Sequence, residues 1–170
     1  MDTPAFATDL KQTVKTAAAW LAQIGEEQAE KKPAPDKWSA KEIIGHLIDS
    51  ACNNHRRFVT ASEKDNLVFD GYRQEEWVNI QRYQEANWIE LVSLWKFYNL
   101  HLANIMATIP SDQRNKQLQE HNFHLIAWKT IPPDQPTTLA YFMEDYVGHL
   151  KHHLQQIRGL MNGVTTRFMG

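Results

Sequence analysis

In the stretch EDYVGHLKHHLQQI, residues 144–157, His149 and His153 stand four residues apart. On a helix this spacing projects both imidazoles from one face about a turn apart, close enough to hold a single cation. Helical periodicity also sets them in the seam Leu139, Phe142, Tyr146, His149, His153, Gln156 and Leu160, which must face other helices. A buried polar group without a partner costs about 1–3 kcal/mol, and a metal ion would satisfy both nitrogens. The plainer alternative is a pair of core histidines hydrogen-bonded to neighbours, and spacing alone favours it.

A third nitrogen is available in WSAKEIIGHLIDSACNNHRRF, residues 38–58. At about 100 degrees per residue, Asn53 and Arg57 fall within about 20 degrees of the His46 direction, with Asp49 and Ser50 flanking it. This polar stripe runs beside the apolar seam Ile44, Leu47, Ala51 and Phe58. If the two helices are neighbours, His46, His149 and His153 supply three neutral imidazoles and leave coordination positions for water or substrate. Such a set suits zinc, nickel, iron or copper. A cation held there stabilises hydroxide or thiolate near neutral pH by lowering the pKa of its ligand.

Other side chains near these positions each carry two readings. His152 could replace His153 as a ligand, but it falls about 60 degrees to the other side and reads as an outer partner or a surface residue. Asp49 could accept a hydrogen bond from an imidazole. Asn53 and Arg57 could bind a substrate carboxylate, and Arg57 could equally pair with an acid across the bundle. Tyr146 and Gln156 could touch substrate or close the core with hydrogen bonds. Cys52, about 120 degrees from His46, reads as a buried small hydrophobe rather than a nucleophile. His101 reads as a bundle-boundary residue and spare ligand, His121 and His124 as exposed loop histidines without a role, and Trp88 and Trp95 as core.

The elements that must position these groups are four amphipathic helices. Leu10, Val14, Ala17, Leu21 and Ile24 define the first, ending near Gly25. Ser39 with Glu42 forms a capping box for the second, Trp38 can staple onto Ile43, and the helix runs to about Ala61. Asn87 opens the third, which continues to Pro110; Thr137 or Thr138 opens the last, with Gly163 as its stop. Four such helices suit an all-α antiparallel four-helix bundle with long connections. Residues 62–86 and 111–137 are long enough to be lids; the first should hold a short helix at RQEEWVNI, the second a short strand pair or irregular coil.

Length and composition narrow the class. A chain of 170 residues fits one domain, 1–170, and a net charge of −2 with dispersed Lys and Arg gives no basic field for nucleic acid. A single cysteine cannot form an intramolecular disulfide, and the start MDTPAFATDLKQ shows no basic-then-apolar leader, so a cytoplasmic location is expected. No apolar run approaches the roughly 20 residues of a membrane span.

The motifs KWSAKEIIGHLIDSACNNHRRF and YVGHLKHHLQQI, with the helix order and the aromatic stretch FDGYRQEEW, resemble the DinB/YfiT-like four-helix-bundle proteins over most of the chain. The resemblance implies one divalent metal, zinc or nickel, on His46, His149 and His153. It implies an enzyme, a metal-dependent hydrolase or a thiol S-transferase of the bacillithiol or mycothiol type, in which water or a low-molecular-weight thiol attacks a small electrophile. It also implies a homodimer. QEHNFHLIAWKTIPPDQPTTL, before the last helix, matches no motif of the family and leaves the substrate open. The rival expectation is a non-catalytic dimeric metal- or ligand-binding bundle acting through protein contacts.

Overall fold

Four long helices carry the core of the computed structural model, which describes residues 3–163. They are α1 (Ala5–Leu21), α3 (Ala40–Ala61), α5 (Trp88–Thr108) and α8 (Leu139–Met161). Short helices lie between them: α2 (Glu26–Glu30), α4 (Gln74–Gln81), α6 (Ser111–Asn115) and α7 (Phe123–Ile126). The caps expected from sequence are present. Ser39 accepts from the Glu42 amide, Asn87 from the Glu90 amide and Thr138 from the Tyr141 amide, so each helix opens with one otherwise unsatisfied N–H bonded. The first helix ends at Leu21, short of Gly25, and Ile24 packs into the core from the turn before α2.

Each long helix buries one apolar stripe: Leu10, Val14 and Leu21 on α1, Ile44, Leu47, Ala51 and Phe58 on α3, Trp88, Trp95 and Leu102 on α5, Phe142, Leu150 and Ile157 on α8. Burial of such side chains contributes about 1.5–3 kcal/mol each before conformational entropy is counted. Trp88 also donates its indole N–H to the Leu21 carbonyl at 3.0 Å, closing the end of α1.

The connectivity explains the first of the long connections. α1 packs against α5 and α8, and α3 packs against the same two, so α1 and α3 lie across the bundle from each other. α1 and α5 are antiparallel, with Leu21 meeting Trp88 and Phe6 meeting Arg114 just past α5. α3 and α8 are also antiparallel, His46 facing His149 while Phe58 faces Phe142. By contrast α3 and α5 run parallel: Lys41 reaches Gln84, ahead of α5, and His55 meets Tyr98 and His101. α1 and α8 run parallel too, as the Asp9–Lys151 and Trp20–Arg158 contacts show. A chain leaving the end of the 22-residue α3 must therefore travel back about 33 Å before entering α5. Residues 62–87 make that return.

Both connections are ordered by each other. Leu67 donates its amide to the Glu120 carbonyl at 2.9 Å, and the Asn122 side chain bonds both amide and carbonyl of Phe69 at 3.1 and 2.7 Å. In place of the strand pair or coil expected over residues 111–137 stand α6, α7 and two isolated bridges, Leu67–His121 and Leu118–Thr137. The short helix expected near residues 73–80 is α4. None of the helices is long and apolar enough to cross a membrane among the described residues.

Candidate metal centre

The capping box fixes where α3 begins and hence where His46 points. Besides the Ser39 bond, the Glu42 carboxylate accepts from the Ser39 amide at 2.8 Å and pairs with Lys32 at 2.7 Å. Lys41, almost wholly buried, reaches Glu26 at 2.5 Å and Glu30 at 3.4 Å, so α2 is pinned to the first turns of α3. Trp38, expected to lie against Ile43, has its ring 5.1 Å from that of His46.

The antiparallel approach of α8 brings the three histidines together. Nε2 of His149 lies 3.3 Å from Nε2 of His46 and 3.0 Å from Nε2 of His153, and the ligand atoms of all three fall within 4.8 Å of one another. Ion–nitrogen distances of about 2.0–2.1 Å place neighbouring donors about 2.9–3.4 Å apart, so these separations fit one coordination shell. Hydrogen bonding alone does not account for them. His153 Nδ1 lies 2.6 Å from Gln156 Oε1, which makes that nitrogen the donor and leaves Nε2 a lone pair. His149 Nε2 faces two nitrogens and carries at most one hydrogen, so one approach opposes like to like unless a cation sits between them.

The electrostatics favour neutral rings. Burial lowers His46 to about 3, with the His153 charge adding to the effect. His153 falls to about 4 because burial outweighs the Gln156 bond, which favours the cation. His149 is held well below the ordinary value by burial and then by the other three histidines around it. Neutral imidazole is the form that binds metal.

The remaining sequence candidates divide. Gln156 holds His153 as described, and its amide nitrogen lies 3.4 Å from His152 Nε2, so Gln156 and His152 support the cluster from outside. Asp49 does not hold an imidazole: its Oδ1 accepts from the Tyr83 hydroxyl and from Gln81, each at 2.7 Å, while Oδ2 and His46 Nδ1 lack partners among the described residues. Burial raises the Asp49 pKa, and those two bonds oppose the rise. Asn53 turns back to the Asp49 carbonyl at 2.9 Å. Arg57 pairs with no acid among the described residues; it donates to the Asp70 carbonyl at 2.6 Å and anchors the 62–87 return, three turns from His46. Tyr146 is buried with its hydroxyl on Asn99 Oδ1 at 2.5 Å, which fits the core-closing reading.

Four further expectations need correction or placing. Cys52 is exposed rather than buried. His121 is buried rather than exposed: its Nε2 lies 2.8 Å from the Gln135 carbonyl and its Nδ1 accepts from the Phe123 amide at 3.2 Å, locking the connection. His124 is exposed. His101 meets His55, away from the three clustered rings.

Two aromatic residues at the site were not legible as such. Tyr83 lies directly on Gly45, where an added Cβ would come 2.1 Å from its ring, and the left-handed Arg82 (φ 52°) turns the chain to place it there. Trp128 lies on Gly148, where a Cβ would meet the ring at 3.0 Å, and its ring stands 6.4 Å from His149 and 5.4 Å from His152. Buried Asp145 holds this loop by accepting from the amides of Trp128 and Lys129, both at 2.8 Å. Glycine thus precedes both His46 and His149, and each glycine admits a ring from a connection.

Known proteins share this arrangement of the chain. A family model described as the DinB superfamily matches residues 9–157. A Bacillus mycoides (strain KBAB4) protein named "Putative metal-dependent hydrolase" is 24% identical over 123 residues, covering 72% of this chain and 64% of its own length. A Bacillus cereus (strain ATCC 10987) protein of the same name is 22% identical with the same coverage. The match therefore spans just under two thirds of these relatives. The solved structure of YfiT from Bacillus subtilis, described as "a probable metal-dependent hydrolase with an unusual four-helix bundle topology", superposes with a TM-score of 0.72 at 18% identity, covering 92% of this chain and 86% of that one. The parallel neighbours found here give an unusual topology of their own, and with the family model matched across nearly all of the bundle this chain belongs to the DinB superfamily.

Proposed function

We propose that the protein is a divalent-metal-dependent enzyme acting on a small electrophile, with His46, His149 and His153 as the ligands and water or a low-molecular-weight thiol as the nucleophile. The observation that carries this reading is the meeting of three neutral Nε2 atoms at 3.0 and 3.3 Å inside the bundle. A cation bound there, zinc or nickel by ligand type, supplies Lewis acidity that lowers the pKa of the nucleophile. The chain's own part is positional. Gln156 sets the tautomer of His153, and Trp38 and Trp128 bound the histidines with apolar rings. The relatives' name, "Putative metal-dependent hydrolase", supports the reaction class.

Elemental analysis of purified protein, followed by hydrolysis and thiol-conjugation assays on a panel of electrophiles, tests the reading. One metal per chain and turnover that His46→Ala abolishes are expected; full metal affinity in that variant would remove the assigned ligand set. The second reading is a homodimeric bundle that binds metal or ligand without turnover. Outward-facing Ile89, Leu94 and Phe97 on α5, 50%, 52% and 65% exposed, favour it. A stable dimer in solution that accelerates no reaction on either panel would select it.

A further inference from the structure

A cleft of about 450 Å³ opens where the start of α1, the end of α5, α6 and the start of α8 meet, on a different part of α8 from His149. Phe6, Ala107, Ile109 and Ala140 give it an apolar lining. Arg114 also lines it and is only 6% exposed. The Arg114 Nε donates to the Ile109 carbonyl at 2.8 Å and the guanidinium lies 5.8 Å from the centre of the Phe6 ring. Its terminal nitrogens have no hydrogen-bond or carboxylate partner among the described residues. Capping of the α5 carboxyl end explains Nε alone. The two remaining nitrogens face the cleft with their donors free, and a guanidinium so placed favours an anionic guest.

The other side of the cleft supplies matching donors. Pro4, Ala5 and Phe6 line it at the amino end of α1, a 17-residue helix with no side-chain cap among the described residues and no acidic residue in its first turn. The amides of Ala5 and Phe6 are therefore unclaimed among the described residues, and the positive end of the helix dipole faces the same space as Arg114. Glu144 stands at the rim, exposed and unpaired with Arg114, and disfavours a guest with two negative charges.

We propose that this cleft binds a small monocarboxylate with an apolar body, the carboxylate lodged between Arg114 and the amides of Ala5 and Phe6. The planar guanidinium fork matches a carboxylate, and the apolar part of the guest rests on Phe6, Ala107, Ile109 and Ala140.

The test uses the metal-loaded full chain with benzoate as probe and benzamide as its neutral isostere, read by calorimetry or saturation-transfer NMR. Benzoate binds and benzamide does not; Arg114→Gln weakens benzoate about ten-fold or more, Glu144→Gln tightens it, and His46→Ala leaves it unchanged. Equal binding of the two probes, unchanged affinity in Arg114→Gln, or loss of binding in His46→Ala, which would place benzoate on the metal, each overturns the proposal. If Arg114→Gln fails to fold, Ala5→Pro removes one amide at a helix position that tolerates proline, and unchanged benzoate affinity there overturns it equally.

Discussion

His149 is the most constrained of the three imidazoles, because two other nitrogens converge on the same Nε2. Its replacement by alanine should abolish stoichiometric metal in elemental analysis while far-UV circular dichroism stays helical. Gln156 acts through His153, so Gln156→Ala should lower metal affinity about 10- to 100-fold, measured by competition with a chelating dye. In metal-free protein, His46 and His153 are lowered from 6.5 to about 3 and about 4. The unfolded chain then binds protons more readily, so their contribution to stability is present above pH 6.5 and lost as pH falls toward those values. Urea midpoints of the metal-free protein should drop across that window, and replacing both residues by Gln should flatten the drop. The histidines were legible because helical spacing aligns them. The roles of Asp49 and Arg57 were not, since the groups they hold belong to the connection that returns along the bundle.

At the scale of the elements, capping chemistry marked three of the four helix starts in the sequence, and apolar periodicity gave their length. Ser39→Ala should lower stability by about 1 kcal/mol, read from denaturant unfolding, because it opens the box that sets the first turn of α3. The glycines make a sharper pair. Gly45→Ala drives a Cβ into the Tyr83 ring at 2.1 Å, and a melting-temperature loss corresponding to about 1–3 kcal/mol is expected. Gly148→Ala meets the half-exposed Trp128 at 3.0 Å and should cost less, since that ring can tilt outward. Apart from α4, the connections escaped sequence reading for a physical reason. Their order comes from bonds between segments far apart in the chain, such as Leu67 with Glu120 and Asp145 with Trp128, which no local pattern encodes.

For the whole molecule, the four apolar stripes close a core that does not need an ion, so chelation should lower the melting temperature without removing helical content. The bundle itself was readable as four stripes of one periodicity. The parallel pairing of α3 with α5 and of α1 with α8 was not, because an amphipathic stripe says that a helix has neighbours and says nothing of their direction. The two indoles beside the histidines have an optical consequence. Trp38 and Trp128 sit within 5.1 and 6.4 Å of His46 and His149, so an open-shell cation such as nickel or copper should quench their emission while zinc leaves it bright. Occupancy then becomes visible in intrinsic fluorescence, and phenylalanine at both positions should darken that signal without emptying the site.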